Sequence, residues 1–126
     1  MSKILESGEM YLENIYVLKK TICDVRAIDI VNKTGYSKPS ISRALGLLKN
    51  DGFITVDKKG YISLTPSGEE VALKIYERHT MLSSFFQALG VSAETAAADA
   101  CKIEHVISDE TFEKMKEHAA RFGNKL

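Results

Sequence analysis

Between residues 25 and 64 the chain changes its hydrophobic period twice, and few folds accommodate the result. Residues 25–34 place Ala27, Ile28 and Val31 at helical spacing and break at Gly35-Tyr36. Ser37 then stands as a cap, and Pro39 falls in a first helical turn, where its missing N–H would have no partner anyway. Ile41, Ala44, Leu45 and Leu48 follow at i, i+3, i+4 and i+7. After Asp51-Gly52 the runs Phe53-Ile54-Thr55-Val56 and Tyr61-Ile62-Ser63-Leu64 are β-branched and aromatic, and Asp57-Lys58-Lys59-Gly60 separates them. Two short helices with a glycine turn, followed directly by a hairpin with a basic tip, predict a winged helix-turn-helix.

Charge supports the same reading. The 126 residues carry 17 Lys/Arg and 17 Asp/Glu. The balance is nevertheless split: residues 1–64 hold ten basic and seven acidic side chains (+3), and residues 65–126 hold seven and ten (−3). In 33–64, Lys33, Lys38, Arg43, Lys49, Lys58 and Lys59 face only Asp51 and Asp57, a local excess that suits a polyanion. Ser37, Lys38, Ser40, Arg43 and Lys49 form the exposed face of the second helix. Lys58 and Lys59 sit at the wing tip, so one element enters a major groove while the other touches phosphate.

The flanking segments read as helices. Residues 5–22 are apolar on two sides, Leu12, Ile15 and Tyr16 on one and Met10, Glu13 and Val17 on the other, so this helix is expected to serve two partners. Thr65-Pro66 opens a long helix ending near Gly90, on which Ile75, His79, Leu82 and Phe86 share a face. Leu82, Phe85, Phe86 and Leu89 make its end more apolar than a small monomer buries easily, and this stretch is assigned to a subunit interface. Ser92 caps an alanine-rich helix, and Ser108 caps a last one carrying Phe112, Met115, Ala119 and Phe122. The fold expected is mainly α with one small β-hairpin: a winged helix-turn-helix lobe over 1–64 and a helical lobe over 65–126 for dimerisation and metal sensing.

Cys101, Glu104 and His105 fall at i, i+3 and i+4, which places a thiolate, a carboxylate and an imidazole on one helical face. Singly, each has a commonplace reading as a small buried hydrophobe, a solvated acid and a surface histidine. Together they make half a metal site, and Met10, Glu13 and His79 are the best donors to complete it. Two cysteines, no apolar leader and no membrane-length apolar run point to a reducing cytoplasm.

Taken together these residues resemble the diphtheria toxin repressor family of metal-activated repressors, which includes the manganese transport regulators. The resemblance runs nearly the whole chain, through Glu9-Met10-Tyr11-Leu12, Ser37-Lys38-Pro39-Ser40-Ile41-Ser42, Leu64-Thr65-Pro66-Ser67-Gly68, Arg78-His79 and the stretch from Asp99 to Asp109. It implies Met10, Cys101, Glu104 and His105 as primary ligands, with the Met/Cys choice of the iron-type branch. It implies His79 as a ligand of a second site, and Glu13 matches a manganese-type ligand. Ala97 and Ser83 replace two ancillary ligands of the iron-type members. In the recognition helix the resemblance adds Pro39 and Ser42 to the DNA-facing set, with Ser37 and Pro39 on thymine methyls. The chain also ends where larger relatives continue into an SH3-like domain.

The function so implied is a homodimeric repressor that binds double-stranded operator DNA near metal-uptake genes when a divalent ion is bound. Soft ligands favour Fe²⁺, while Mn²⁺, Co²⁺, Ni²⁺ and Zn²⁺ are candidates on the same donors. Neither a membrane nor a small-molecule substrate is expected. Two rivals share the residues. A manganese-responsive regulator would rely on Glu13 and His79, and a metal-independent winged-helix module would use Cys101 as a redox thiol. Cys-x-x-Glu-His is also a variant of a metallopeptidase motif with Glu104 as base, but a chain already committed to a wing and a dimer face has little room for a substrate cleft, and no catalytic residue is assigned.

Overall fold

The computed structural model describes residues 6–122, and in it the first helix, α1, runs Glu6–Thr21. The elements that follow are α2 (Ala27–Thr34), α3 (Lys38–Asn50), β1 (Ile54–Val56), β2 (Ile62–Leu64), α4 (Pro66–Ala88), α5 (Ala93–Ile103) and α6 (Asp109–Phe122). Leu5, Gly123 and Asn124, and the side chain of Phe122, lie outside the described residues. The chain divides into two compact units, the first ending at Leu73 and the second beginning at Lys74.

In the first unit, three helices and a hairpin enclose one core. Leu12 and Ile15 of α1, Ile30 of α2 and Ile41 of α3 are fully buried, and Leu45, Leu48, Ile54 and Ile62 join them. The sequence forms these elements for local reasons. Ser37 Oγ accepts the N–H of Ser40 at 3.3 Å and so caps α3, with Pro39 in the first turn. Gly35 ends α2 in the left-handed region at φ 78°, which only glycine adopts without strain. The hairpin pairs antiparallel in the register Ile54 with Leu64, Thr55 with Ser63 and Val56 with Ile62. These elements make the winged helix-turn-helix that the changing period predicts.

Residue 25 departs from expectation. Val25 does not begin α2; it is fully buried, and its carbonyl accepts the N–H of Ile62 at 2.8 Å, adding an isolated bridge to the hairpin. A β-branched residue that helical periodicity would claim is taken instead by the exposed edge of β2, which supplies a backbone donor.

The division between the units falls inside α4, and Ala72 shows why: it is fully buried in the core of the first unit. The start of α4 is fastened there too. Thr65 donates its hydroxyl to the Gly52 carbonyl at 2.7 Å and accepts the Gly68 N–H at 3.1 Å, while its own N–H donates to the Phe53 carbonyl at 3.0 Å. Gly68 lies so close that a Cβ there would come within 2.0 Å of the Phe53 oxygen.

The second unit holds the rest of α4, then α5 and α6. Ser92 Oγ accepts the Thr95 N–H at 3.3 Å and Ser108 Oγ the Thr111 N–H at 3.1 Å, so both later helices begin on the serines that the sequence marks as caps. Ile75, Leu82, Ala96, Ala100, Phe112 and Ala119 are its buried apolar residues.

Candidate metal centre

The centre of the second unit is a carboxylate removed entirely from solvent. Glu104 is 0% exposed, and an imidazole nitrogen faces each of its oxygens: His79 Nδ1 at 2.8 Å from Oε1 and His105 Nε2 at 3.2 Å from Oε2. Burying a carboxylate is costly unless charge or hydrogen bonds compensate it. The atoms gathered here, two imidazole nitrogens and two carboxylate oxygens, are donors that suit a divalent transition metal, and the donor set fits such an ion.

Glu104 owes its position to a residue that sequence reading assigns no role. Arg78, 5% exposed, precedes His79 on α4 and donates through Nη1 to the carbonyl of Glu104 at 3.2 Å and to that of Ile107 at 2.6 Å. Its Nη2 donates to the carboxylate of Asp109 at the first turn of α6, and its guanidinium lies 5.2 Å from the centroid of the Phe112 ring. The same carboxylate pairs with Lys74 at 3.3 Å. The Lys74 ammonium, and then the Arg78 guanidinium, hold Asp109 below the ordinary carboxylate range. Arg78 adjoins His79 in sequence, but its burial, which obliges the cation to find acceptors, is a tertiary property that no local pattern shows.

This clamp also changes where α5 ends. The helix closes at Ile103, with Glu104 as its C-cap and His105 in the following turn, because the Glu104 carbonyl goes to Arg78 rather than into the helix. Glu104 nevertheless keeps helical backbone angles and donates its N–H to the Ala100 carbonyl at 2.9 Å, so Cys101 and Glu104 stay one helical turn apart. Cys101 is exposed on the last turn of α5, whereas Glu104 is buried and His105 half-buried.

In the first unit, Met10 and Glu13 are both half-buried on α1. Met10 is directed at its own unit: it packs against the core, and its Sδ accepts a hydrogen bond from the Tyr36 hydroxyl at 3.5 Å. Asn14 donates to the Met10 carbonyl at 3.0 Å and accepts from Lys33 Nζ at 2.7 Å.

The residues expected to face DNA are all exposed: Ser37, Lys38, Pro39, Ser40, Ser42, Arg43 and Lys49 on or capping α3, and Lys58 and Lys59 at the hairpin tip. Asp57 Oδ1 shapes that tip by accepting the N–H groups of Lys59 and Tyr61, both at 2.9 Å. Of the residues assigned to a subunit interface, Leu89 is exposed and Phe85 and Phe86 are half-buried. Leu82 is fully buried within the single chain, so it packs inside the unit and offers no surface to a partner. Among the described residues no helix is long and apolar enough to cross a membrane.

Residues 65–124 match the domain family described as iron dependent repressor, metal binding and dimerisation domain. The transcriptional regulator MntR of Escherichia coli is 32% identical over 115 residues, covering 91% of this chain and 74% of the relative. The diphtheria toxin repressor of Corynebacterium glutamicum is 28% identical over 133 residues, covering 100% of this chain and 58% of its own. Among solved structures, the manganese regulator SloR matches with a TM-score of 0.81 and 25% identity, over 90% of this chain and 53% of that one. The chain thus spans little more than half the length of the last two proteins, and 66% of the MntR of Salmonella typhimurium.

Proposed function

Because the chain belongs to the diphtheria toxin repressor family of metal-dependent transcriptional repressors, we propose that it is itself a homodimeric, metal-activated repressor that acts in the cytoplasm on metal-uptake genes. The observation that carries this reading is the buried Glu104 with an imidazole on each oxygen. Cys101, Glu104, His105 and His79 are the ligands from the second unit, and Met10 and Glu13 are those from α1. The ion, when bound, supplies a concentrated positive charge and a fixed coordination geometry. His79 and His105 contribute neutral imidazole nitrogens and Glu104 its carboxylate, while Arg78 keeps Glu104 in register by holding its carbonyl. Ser37, Lys38, Pro39, Ser40, Ser42, Arg43 and Lys49 meet the operator, and Lys58 and Lys59 meet phosphate. Phe85, Phe86 and Leu89 belong to the face that a second copy covers. No residue is assigned a catalytic role.

Ferrous iron is the activating ion in this proposal, because a thiolate from Cys101 and a thioether from Met10 soften the shell relative to the oxygen and nitrogen sets that suit Mn²⁺. Co²⁺, Ni²⁺ and Zn²⁺ should substitute in solution, since raw affinity follows the Irving–Williams order. A second reading, manganese, is favoured by a specific observation: the hard carboxylate of Glu104 is in contact with the His79 imidazole, a borderline donor, whereas the soft Cys101 is exposed. The test measures DNA binding at equal free Fe²⁺ and Mn²⁺ under anaerobic conditions. Stronger activation by Fe²⁺ that shifts toward Mn²⁺ in the double variant Met10→Asp, Cys101→Glu supports iron. Equal activation of the unmodified protein overturns it in favour of manganese.

A further inference from the structure

We infer that Tyr36 is a positioning residue whose hydroxyl is exchanged between the Met10 thioether and the DNA backbone, so that occupancy of the metal ligand is reported directly to the start of α3. The inference rests on the proposal that Met10 is a ligand, and it concerns how that ligand is regulated.

Three contacts place Tyr36 at this junction. Its hydroxyl donates to Met10 Sδ at 3.5 Å. Its ring stands edge-on to that of Tyr11, with centroids 6.2 Å apart and planes at 72°, and Tyr11 is itself buried in the core. Its backbone N–H donates to Thr34 Oγ1 at 3.2 Å, and the next residue is Ser37, the cap of α3. Tyr36 therefore has one end on the helix that bears Met10 and the other in the turn that launches the recognition helix. The Lys33–Asn14 and Asn14–Met10 hydrogen bonds tie that segment of α1 to α2, so the sulfur and the hydroxyl are held in register.

A thioether sulfur is a weak acceptor, and the lone pair directed at the Tyr36 proton is withheld from a cation, which the partly positive proton would repel. Ligation by that lone pair releases the hydroxyl. Tyr36 is 44% exposed and adjoins the basic face of α3, and a tyrosine hydroxyl is a common donor to phosphate oxygen. Metal binding thus frees a phosphate donor at the edge of the DNA-facing surface. Linkage requires the reverse as well: DNA that captures the hydroxyl tightens metal binding by the same factor.

Tyr36→Phe removes the hydroxyl and keeps the ring against Tyr11. In the metal-free protein the Met10 methyl signal, observed by ¹³C-methyl NMR, should move. Calorimetry without DNA should show Fe²⁺ or Co²⁺ binding tightened about two- to fivefold, as expected for loss of one weak neutral hydrogen bond to the ligand. The factor by which metal strengthens DNA binding should fall, and equally for operator and random DNA. Unchanged or weaker metal affinity in Tyr36→Phe overturns the inference. Met10→Ala separates the two failures. If it weakens metal binding while Tyr36→Phe does nothing, the exchange is wrong and the ligand assignment stands; if Met10→Ala leaves metal affinity untouched, Met10 is not a ligand and both fall.

Discussion

Arg78 holds Glu104 by its carbonyl while the neighbouring His79 meets its carboxylate, so one dipeptide on α4 governs both ends of a single buried residue. Replacing Arg78 with Met keeps most of the stem volume and strips the donors from the carbonyls of Glu104 and Ile107. We expect a loss of about 2–3 kcal/mol in urea denaturation, typical of leaving buried acceptors unsatisfied. A loss within experimental error would show that the clamp is incidental. Asp109 offers a pH test with a definite sign. Its folded-state pKa lies below the ordinary value because of Lys74 and then Arg78, so the stabilisation is complete above the unfolded Asp value and fades as pH falls through the lower folded value. Asp109→Asn should therefore be less stable than the parent near neutrality, and the two stability curves should converge on the acid side. Parallel curves would mean that the carboxylate charge contributes nothing.

At the scale of elements, Gly68 opposes two effects that can be separated. It sits in α4, where alanine would ordinarily favour the helix by about 1 kcal/mol. Its Cβ, however, would meet the Phe53 carbonyl at 2.0 Å, and backbone cannot yield as a flexible side chain would. Gly68→Ala should thus destabilise by about 1–3 kcal/mol, read from thermal or urea unfolding; a gain in stability would show that α4 can lift off the hairpin freely. On α3, Arg43→Ala should weaken binding and relax base preference by about 1–3 kcal/mol if the guanidinium reads a base, whereas Lys58→Ala or Lys59→Ala should weaken all sequences alike and flatten the salt dependence. Equal losses on operator and random DNA for Arg43→Ala would confine it to phosphate. The helices were legible because caps such as Ser37, Ser92, Thr65 and Ser108 announce themselves locally. Val25 was not, because its bridge to Ile62 joins segments far apart in sequence, and helical spacing carries no sign of a strand edge in need of a partner.

For the whole molecule, the contrast between a winged helix-turn-helix and a helical second unit is legible in the change of hydrophobic period along the chain. The candidate site was legible as a set of residue types and illegible in its frame. The chemistry of Glu104, His105 and His79 shows in their identities and spacing, but the buried arginine that aligns Glu104 and the tyrosine on Met10 act through tertiary contacts that no local pattern encodes. In the proposed function a divalent ion governs DNA binding. The most direct test of this is fluorescence anisotropy of a labelled operator fragment titrated with the purified chain, first with a strong chelator and then with Fe²⁺ or Mn²⁺ in excess of it. The chelator should weaken binding at least tenfold, which is about 1.4 kcal/mol of coupling, and the ion should restore it. Binding that is equally tight with and without the chelator would contradict this reading.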